Sequence, residues 1–164
     1  MKTHEEYMEL ALEEARKAEE IDEVPVGCVV VCDGEVISRG HNLKEQLNQA
    51  YAHAEMMAIQ KAAEVKGNWC LNDCDLYVTL EPCMMCTGII NLSRIRTVYY
   101  GTTDPKGGCL ETVIDLKKIK RLNHFPNVVG NILQKECSEI LTNYFRKKRE
   151  IKKEKKQKNK ANIQ

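Results

Sequence analysis

Four residues between positions 53 and 86 could bind and use a metal ion: His53, Glu55, Cys83 and Cys86. Zinc takes histidine nitrogen at about 2.0–2.1 Å and cysteine sulfur at about 2.3 Å in a tetrahedral arrangement. Cys83 and Cys86 are three residues apart, which places both sulfur atoms on one side of the first turn of a helix. His53 begins a second amphipathic segment and could supply a third ligand from a neighbouring helix start.

Three protein ligands would leave the fourth corner of the tetrahedron to water, which is typical of catalytic rather than structural zinc. Glu55 is too close to His53 in sequence to be an ordinary fourth ligand, but it is well placed to exchange protons with that water. Pro82 suits a helix start. The positive end of the helix dipole would lower the thiol pKa values and favour the thiolates that zinc needs.

Other interpretations of these residues remain open at this point. A C-x-x-C pair alone is also typical of a redox pair or a structural zinc knuckle. The second C-x-x-C that a closed four-cysteine site would need is missing from the sequence. Two further pairs are spaced four residues apart, Cys28 with Cys32 and Cys70 with Cys74. Since both lie in segments predicted as strand or strand entry, we interpret them as small buried hydrophobic residues.

Length and composition predict one domain in the cytoplasm. A chain of 164 residues is long enough for a single core, and it contains no apolar run of transmembrane length. The polar, acidic N-terminal segment lacks a signal-peptide core. With no export signal, eight cysteines favour reduced thiols and metal binding over disulfides.

The net charge of +1 conceals a strong asymmetry along the chain. Residues 146–160 carry ten Lys or Arg and two Glu, a local net charge of +8, while the remainder carries −7. A basic segment on an acidic body favours contact with a polyanion. A solvated, frayed helix end would give the same composition.

Hydrophobic periodicity predicts strands that alternate with helices, hence a three-layer fold with a mixed sheet. Helices are predicted at 5–20, from His53 to Gly67, at 83–92, 112–118 and 131–155. Strands are predicted at 28–32, 35–40, 75–80 and 96–100, with a short extended piece at 128–129; Asp33-Gly34 predicts a hairpin turn. The second half of the metal motif therefore lies at a strand-to-helix transition, where α/β sheets usually place their sites.

Several segments of the chain can be compared with a known family. H-x-E…P-C-x-x-C is the signature of zinc nucleobase deaminases. Further segments that carry a likeness are Glu23-Val24-Pro25-Val26-Gly27, Gly40-His41-Asn42, Ala52-His53-Ala54-Glu55, Tyr77-Val78-Thr79-Leu80-Glu81-Pro82-Cys83-Met84-Met85-Cys86, Ser93-Arg94-Ile95, Gly101-Thr102-Thr103-Asp104 and Tyr144-Phe145-Arg146. In these segments the chain resembles the bacterial tRNA-specific adenosine deaminases of the cytidine deaminase-like superfamily, and the likeness extends to about Lys152.

The resemblance implies a three-layer α/β/α cytidine deaminase-like fold with a mixed five-stranded sheet, usually a homodimer. It implies hydrolysis of adenosine to inosine at the wobble position of a tRNA anticodon, most often of an arginine tRNA. One Zn²⁺ per subunit would be held by His53, Cys83 and Cys86. By the same resemblance, Glu55 would be the proton shuttle.

Three substrate contacts also follow from the resemblance. Asn42 would hydrogen-bond the flipped base, Asp104 would contact the anticodon backbone, and the basic helix from Arg146 would meet tRNA phosphates. The deaminase domain would span residues 1–152, and residues 153–164 would form a basic tail that could be disordered.

Two other functions would also use this zinc motif. The zinc motif alone does not exclude a deaminase of free guanine, cytosine or cytidine. A non-catalytic RNA-binding subunit with structural zinc is the second, but it gives no reason for a carboxylate at Glu55 beside an open zinc corner.

Overall fold

A computed structural model describes residues 1–163 of the chain. Its centre is one five-stranded sheet in the order β2-β1-β3-β4-β5. β1 is antiparallel to β2 and β3, whereas β3, β4 and β5 run parallel, so the sheet is mixed as predicted. The strands are β1 Gly27–Cys32, β2 Glu35–His41, β3 Cys74–Leu80, β4 Thr97–Thr102 and β5 Asn127–Val129.

Helices cover both faces of this sheet and form the outer layers. They are α1 His4–Glu20, α2 Lys44–Leu47, α3 Ala54–Lys66, α4 Met84–Leu92 and α5 Gln134–Ile163. Residues of α1 and α5 pack with Val29 and Val31 of β1 on one face. Residues of α3 and α4 pack with Cys28 and Val30 on the other. β1 is apolar throughout because its alternating side chains enter two different cores.

Close backbone approach fixes where α3 lies on the sheet. A Cβ at Gly40 of β2 would stand 2.6 Å from the carbonyl oxygen of Ala54 and 2.7 Å from the amide nitrogen of Ala58. Only glycine therefore allows this contact. The Ser38 hydroxyl on the same strand donates to the Ala58 carbonyl at 2.7 Å. These contacts set the start of α3, and with it His53.

The structure corrects three predicted segments. Instead of a helix at 112–118, only Leu116–Lys118 form a short 3₁₀ turn, because the backbone before it bonds to Glu81. Residues Lys44–Leu47, which lie outside every predicted helix and strand, form the single-turn helix α2. α5 begins at Gln134 rather than 131 and continues to Ile163, so the segment 153–163 is helical. None of the helices within residues 1–163 has the length and apolar character needed to cross a membrane.

Candidate active site

Two helix starts bring the metal-binding residues together. His53 is the N-cap of α3 and Cys83 the N-cap of α4, both with extended backbone. Cys86 lies in the first turn of α4 and is fully buried. Pro82 thus precedes the N-cap rather than opening the helix. Since β3 ends at Leu80, the motif follows the carboxyl end of a parallel strand, as expected from the sequence.

The three side chains form a triangle of zinc dimensions. His53 Nδ1 lies 3.6 Å from Cys83 Sγ and 3.6 Å from Cys86 Sγ. For a tetrahedral zinc with ordinary bond lengths, the nitrogen and each sulfur would be about 3.6 Å apart. All three ligand atoms lie within 4.8 Å of one another. The donor set of one imidazole and two thiols therefore fits zinc, and it leaves one position free.

Hydrogen bonding within the triangle shifts the pKa values of all three side chains. The hydrogen bond with Cys86 and the contact with His53 hold the pKa of Cys83 at about 3. The hydrogen bond between Cys83 and Cys86, together with burial, raises the pKa of Cys86. Hydrogen bonding with Cys83 raises the pKa of His53. A thiolate is thus already favoured on Cys83, and thiolates are the sulfur ligands of zinc.

Glu55 stands beside this triangle in the first turn of α3, with 4 % of its surface exposed. Burial raises the pKa of Glu55 because the charged carboxylate is less well solvated there. A carboxyl group whose pKa moves toward neutrality can both take up and release a proton.

One cavity joins the predicted chemical and substrate-binding residues. It has a volume of about 200 Å³ and is lined by His53, Glu55 and Cys83 together with Asn42 and Asp104. The Asn42 Nδ2 donates to the Val24 carbonyl at 3.2 Å, and its Oδ1 accepts from the Lys44 amide at 3.1 Å. The amide of Asn42 is therefore held in a fixed orientation at the cavity wall.

The Asp104 side chain also stabilises the turn in which it lies. Its Oδ1 accepts from the backbone amides of Lys106 and Gly107, each at 3.1 Å. Two of the three predicted substrate-binding residues thus line the cavity. The third, Arg146, is exposed on α5 and does not line it.

Comparison with known proteins agrees with this geometry. The family described as the cytidine and deoxycytidylate deaminase zinc-binding region matches residues 1–102. A tRNA-specific adenosine deaminase of Bacillus subtilis is 48 % identical over 147 residues, which cover 90 % of this chain and 91 % of the relative. One from Agrobacterium fabrum is 48 % identical and covers 90 % and 96 %.

The chain belongs to the tRNA-specific adenosine deaminase family.

A solved structure supports the same placement of this deaminase. This structure comes from a study of A-to-I editing by tRNA:A34 deaminases at the wobble position of transfer RNA. It superposes with a TM-score of 0.80 at 48 % sequence identity. The superposition covers 83 % of this chain and 99 % of the other. A guanine deaminase from Bacillus subtilis superposes with a TM-score of 0.60 at 38 % identity, covering 62 % and 66 %. The predicted family and fold class are confirmed, and the cofactor of the enzyme is zinc.

Sequence reasoning missed two residues of the deaminase site. Lys44, on α2, adds a positive charge to the cavity wall. Glu81 lines the cavity as well but is 1 % exposed, and it binds the loop that carries Asp104. Their neighbours in sequence give no signal for either role, although Glu81 stands within the motif that ends at Cys86.

The basic helix is anchored to the body of the deaminase at Asp22. Tyr144 donates from its hydroxyl to Asp22 Oδ1 at 3.1 Å, and Lys148 Nζ lies 2.6 Å from Asp22 Oδ2. Asp22 has a left-handed φ of 59° and stands two residues before Val24, which lines the cavity. The charged part of α5 therefore begins beside the loop that leads to the site.

Proposed function

We propose that this enzyme hydrolyses adenosine to inosine at the wobble position of a tRNA anticodon, with an arginine tRNA as its expected substrate. The observation that carries the proposal is the His53–Cys83–Cys86 triangle with Glu55 beside it. It occurs in a chain that shares 48 % identity with a tRNA-specific adenosine deaminase over nine-tenths of its length.

We assign the zinc to His53, Cys83 and Cys86. Bound there, zinc would supply Lewis-acid activation of water at neutral pH. Glu55 takes a proton from the water that attacks the ring carbon carrying the exocyclic amine. Glu55 delivers this proton to the ring nitrogen. It then takes the second proton from the added hydroxyl group and passes it to the amine, so that the C–N bond breaks, the C=O bond forms and ammonia leaves. The buried position and raised pKa of Glu55 support both transfers.

The base would be held by the cavity wall. Asn42 is fixed by Val24 and Lys44 and so could present its amide to a flipped adenine without reorganisation. Asp104 lies in a turn shaped by its own side chain, from which it could contact the backbone beside the target. An anticodon loop suits such a site because its bases leave the stack more cheaply than those of a duplex.

The basic part of α5, from Arg146 onward, would contact tRNA phosphates without reading sequence. The proposed domains are a deaminase domain at residues 1–152 and a basic tail at residues 153–164. Residue 164 lies outside the residues that the structure describes. The tail continues α5, so its charges would be presented along one rigid helix rather than a loose chain.

A homodimer is the proposed assembly. One face of α4, formed by Met84, Thr87, Gly88 and Asn91, lines an almost wholly apolar groove of about 270 Å³ together with Ile114 and Ile119. A second copy of the chain would cover it. Sedimentation should then give a dimer that Ile119→Glu converts to a monomer. Val65→Glu, at an exposed position on α3, should leave the dimer intact.

The proposed location is the cytoplasm, where the tRNA substrate would be met and where thiols stay reduced. All eight cysteines are free in the structure. A deaminase of free guanine is the alternative that the 38 % identical guanine deaminase supports, but its likeness covers only 62 % of this chain.

The test is to incubate zinc-loaded protein with an arginine tRNA transcript that carries adenosine at the wobble position. A transcript with guanosine there, and free adenosine, cytidine and guanine, serve as controls. Inosine should form only in the first transcript. Ammonia from free guanine without inosine in tRNA would contradict the proposal.

A further inference from the structure

A second cluster of reactive side chains lies at the far end of the sheet. Cys32 ends β1, Cys74 begins β3, and the side chains of Asp73 and Lys66 join them. The ligand atoms of Cys32, Asp73 and Cys74 lie within 4.8 Å of one another. Lys66 Nζ is 3.6 Å from Cys32 Sγ and donates to both carboxylate oxygens of Asp73. Nothing in the deaminase reaction uses this cluster.

Sheet register makes the two cysteines direct neighbours. Cys32 and Cys74 are paired residues of the antiparallel strands β1 and β3. The Cys74 amide donates to Leu71, and its carbonyl accepts from Arg96, so neither group bonds to Cys32. In such a non-hydrogen-bonded pair the α-carbons are about 4.5 Å apart. Disulfides span α-carbon distances of about 4.4–6.8 Å, so this pair lies within reach of one.

We propose that Cys32 and Cys74 are a peroxide-responsive pair that forms a reversible disulfide between β1 and β3. Cys32 is half-buried and meets the oxidant first, whereas Cys74 is fully buried behind it. The Cys32 thiol donates to Asp73 Oδ2 at 3.4 Å, and the Lys66 ammonium lies 3.6 Å from the same sulfur. A neighbouring ammonium stabilises the thiolate form, which is the form that reacts.

The reaction balances with peroxide as the oxidant. The Cys32 sulfur attacks one peroxide oxygen, the O–O bond breaks, and a sulfenic acid and one water form. The Cys74 sulfur then attacks the Cys32 sulfur, so that an S–S bond forms and the S–O bond breaks. The departing hydroxide takes the Cys74 proton and leaves as a second water. Two thiols lose two electrons, and a thiol reductant restores them.

The cluster suits a disulfide better than a metal ion. The Lys66 ammonium already occupies the place of a cation between Asp73 and Cys32. A metal ion at this place would have to displace the ammonium from the carboxylate that it contacts.

The disulfide would act on stability rather than on deamination. Cys74 begins β3, and the catalytic motif follows the other end of that strand. Closing the long loop between positions 32 and 74 restricts the unfolded chain. The unfolding midpoint should therefore rise by roughly 5 °C on oxidation and return on reduction.

The experiment uses the reduced, zinc-loaded full chain, treated briefly with hydrogen peroxide. Remaining thiols are blocked in denaturant, the chain is digested, and the peptides are identified by mass spectrometry. We expect a Cys32–Cys74 linked peptide pair that dithiothreitol separates. Lys66→Gln should slow its formation severalfold without changing its identity.

Two single-cysteine variants make the result specific. Cys32→Ser should lose both the linked peptides and the rise in unfolding midpoint. Cys70→Ser, at another half-buried cysteine, should retain both. Three outcomes would overturn the proposal: both thiols still alkylated after peroxide, Cys32 oxidised to sulfinic acid without a link, or a second zinc equivalent in the wild type that Cys32→Ser removes.

Discussion

The Glu81 carboxylate accepts a 2.5 Å hydrogen bond from the hydroxyl of Thr112, 31 residues later in the chain. It also accepts from the backbone amides of Leu110, Glu111 and Thr112, and from that of Asp104. Since Glu81 directly precedes Pro82 and Cys83, one buried carboxylate connects the loop that carries Asp104 to the helix that carries Cys83. A Cβ at Gly108 would stand 2.4 Å from Glu81 Oε1, so the loop closes tightly around it.

Replacing Glu81 with Gln should therefore loosen the loop without removing the metal. The amide would place donors against donors, and each unsatisfied buried group costs about 1–3 kcal/mol. We expect kcat/KM on tRNA to fall at least about tenfold, with zinc content unchanged and a lower unfolding midpoint. Glu111→Gln is the matched control, because the Glu111 side chain bonds to Tyr100 instead. Equal activity in the two variants would show that the network does not position the site.

Zinc content should depend on each of the three proposed ligands. Cys83→Ala, Cys86→Ala and His53→Ala each leave two ligands, which hold zinc far more weakly than three. Metal analysis of purified protein should give one zinc per chain for the wild type and well under half of that for each variant. Cys70→Ala, which removes a cysteine outside the site, should keep full zinc. If one of the three ligand variants retained full zinc, the residue replaced in that variant would be excluded as a ligand.

The salt dependence of tRNA binding should report on α5. Lys153→Gln with Lys156→Gln removes two charges from its exposed basic part, whereas truncation at Arg146 would also remove the Lys148–Asp22 contact. The slope of log affinity against log salt should become shallower by about 0.7–0.9 per lost phosphate contact. Lys61→Gln on α3 with Lys135→Gln in the first turn of α5 removes equal charge outside the basic part of the helix and should leave the slope unchanged. If the slope changed equally in the two double variants, the proposed contact between the basic part of α5 and tRNA phosphates would be contradicted.

Acid should remove the contribution of Glu14 to stability. Burial raises the pKa of this buried carboxyl, but hydrogen bonds with Lys17 and His41 outweigh it and hold the pKa below its ordinary value of 4.5. Because the folded pKa is the lower one, the stabilisation is present above pH 4.5 and is lost as the pH falls through the folded value. Glu14→Gln should cost about 1–3 kcal/mol of unfolding free energy at pH 7.

The difference between wild type and Glu14→Gln should then shrink as the pH is lowered below 4.5. Unfolding by denaturant at a series of pH values measures it. Glu13→Gln changes a half-exposed neighbour and should show little difference at any pH. A cost for Glu14→Gln that is constant down to acid pH would contradict the assigned cause.

The sequence predicted the features that depend on local spacing. H-x-E and C-x-x-C each lie within one helix turn, so their ligand atoms converge once two helix starts are neighbours. The strands and the longer helices were predictable as well, because hydrophobic periodicity is also a local feature of the sequence. The contacts that join distant segments were not predictable in this way, because nothing in residues 110–112 indicates that Glu81 holds their backbone.

The cysteines illustrate the same limit. Spacing suggested Cys28 with Cys32 and Cys70 with Cys74, whereas the antiparallel register pairs Cys32 with Cys74. Buried Glu14 likewise resembles any acidic residue on the polar side of an amphipathic helix. Its place in the interior is explained by two partners, Lys17 on the same helix and His41 on β2, and the second of these is not visible from the sequence.

The most direct test of the account compares wild type with Glu55→Gln on an arginine tRNA transcript with adenosine at the wobble position. Both proteins should bind one zinc, because Glu55 is not one of the proposed ligands. The wild type should convert the adenosine to inosine, and the variant should be slower by about 10²–10⁴-fold, since proton transfer by Glu55 is lost. Near-normal inosine formation by the zinc-loaded variant would contradict the assignment of Glu55, and its absence from the wild type would contradict the proposed reaction.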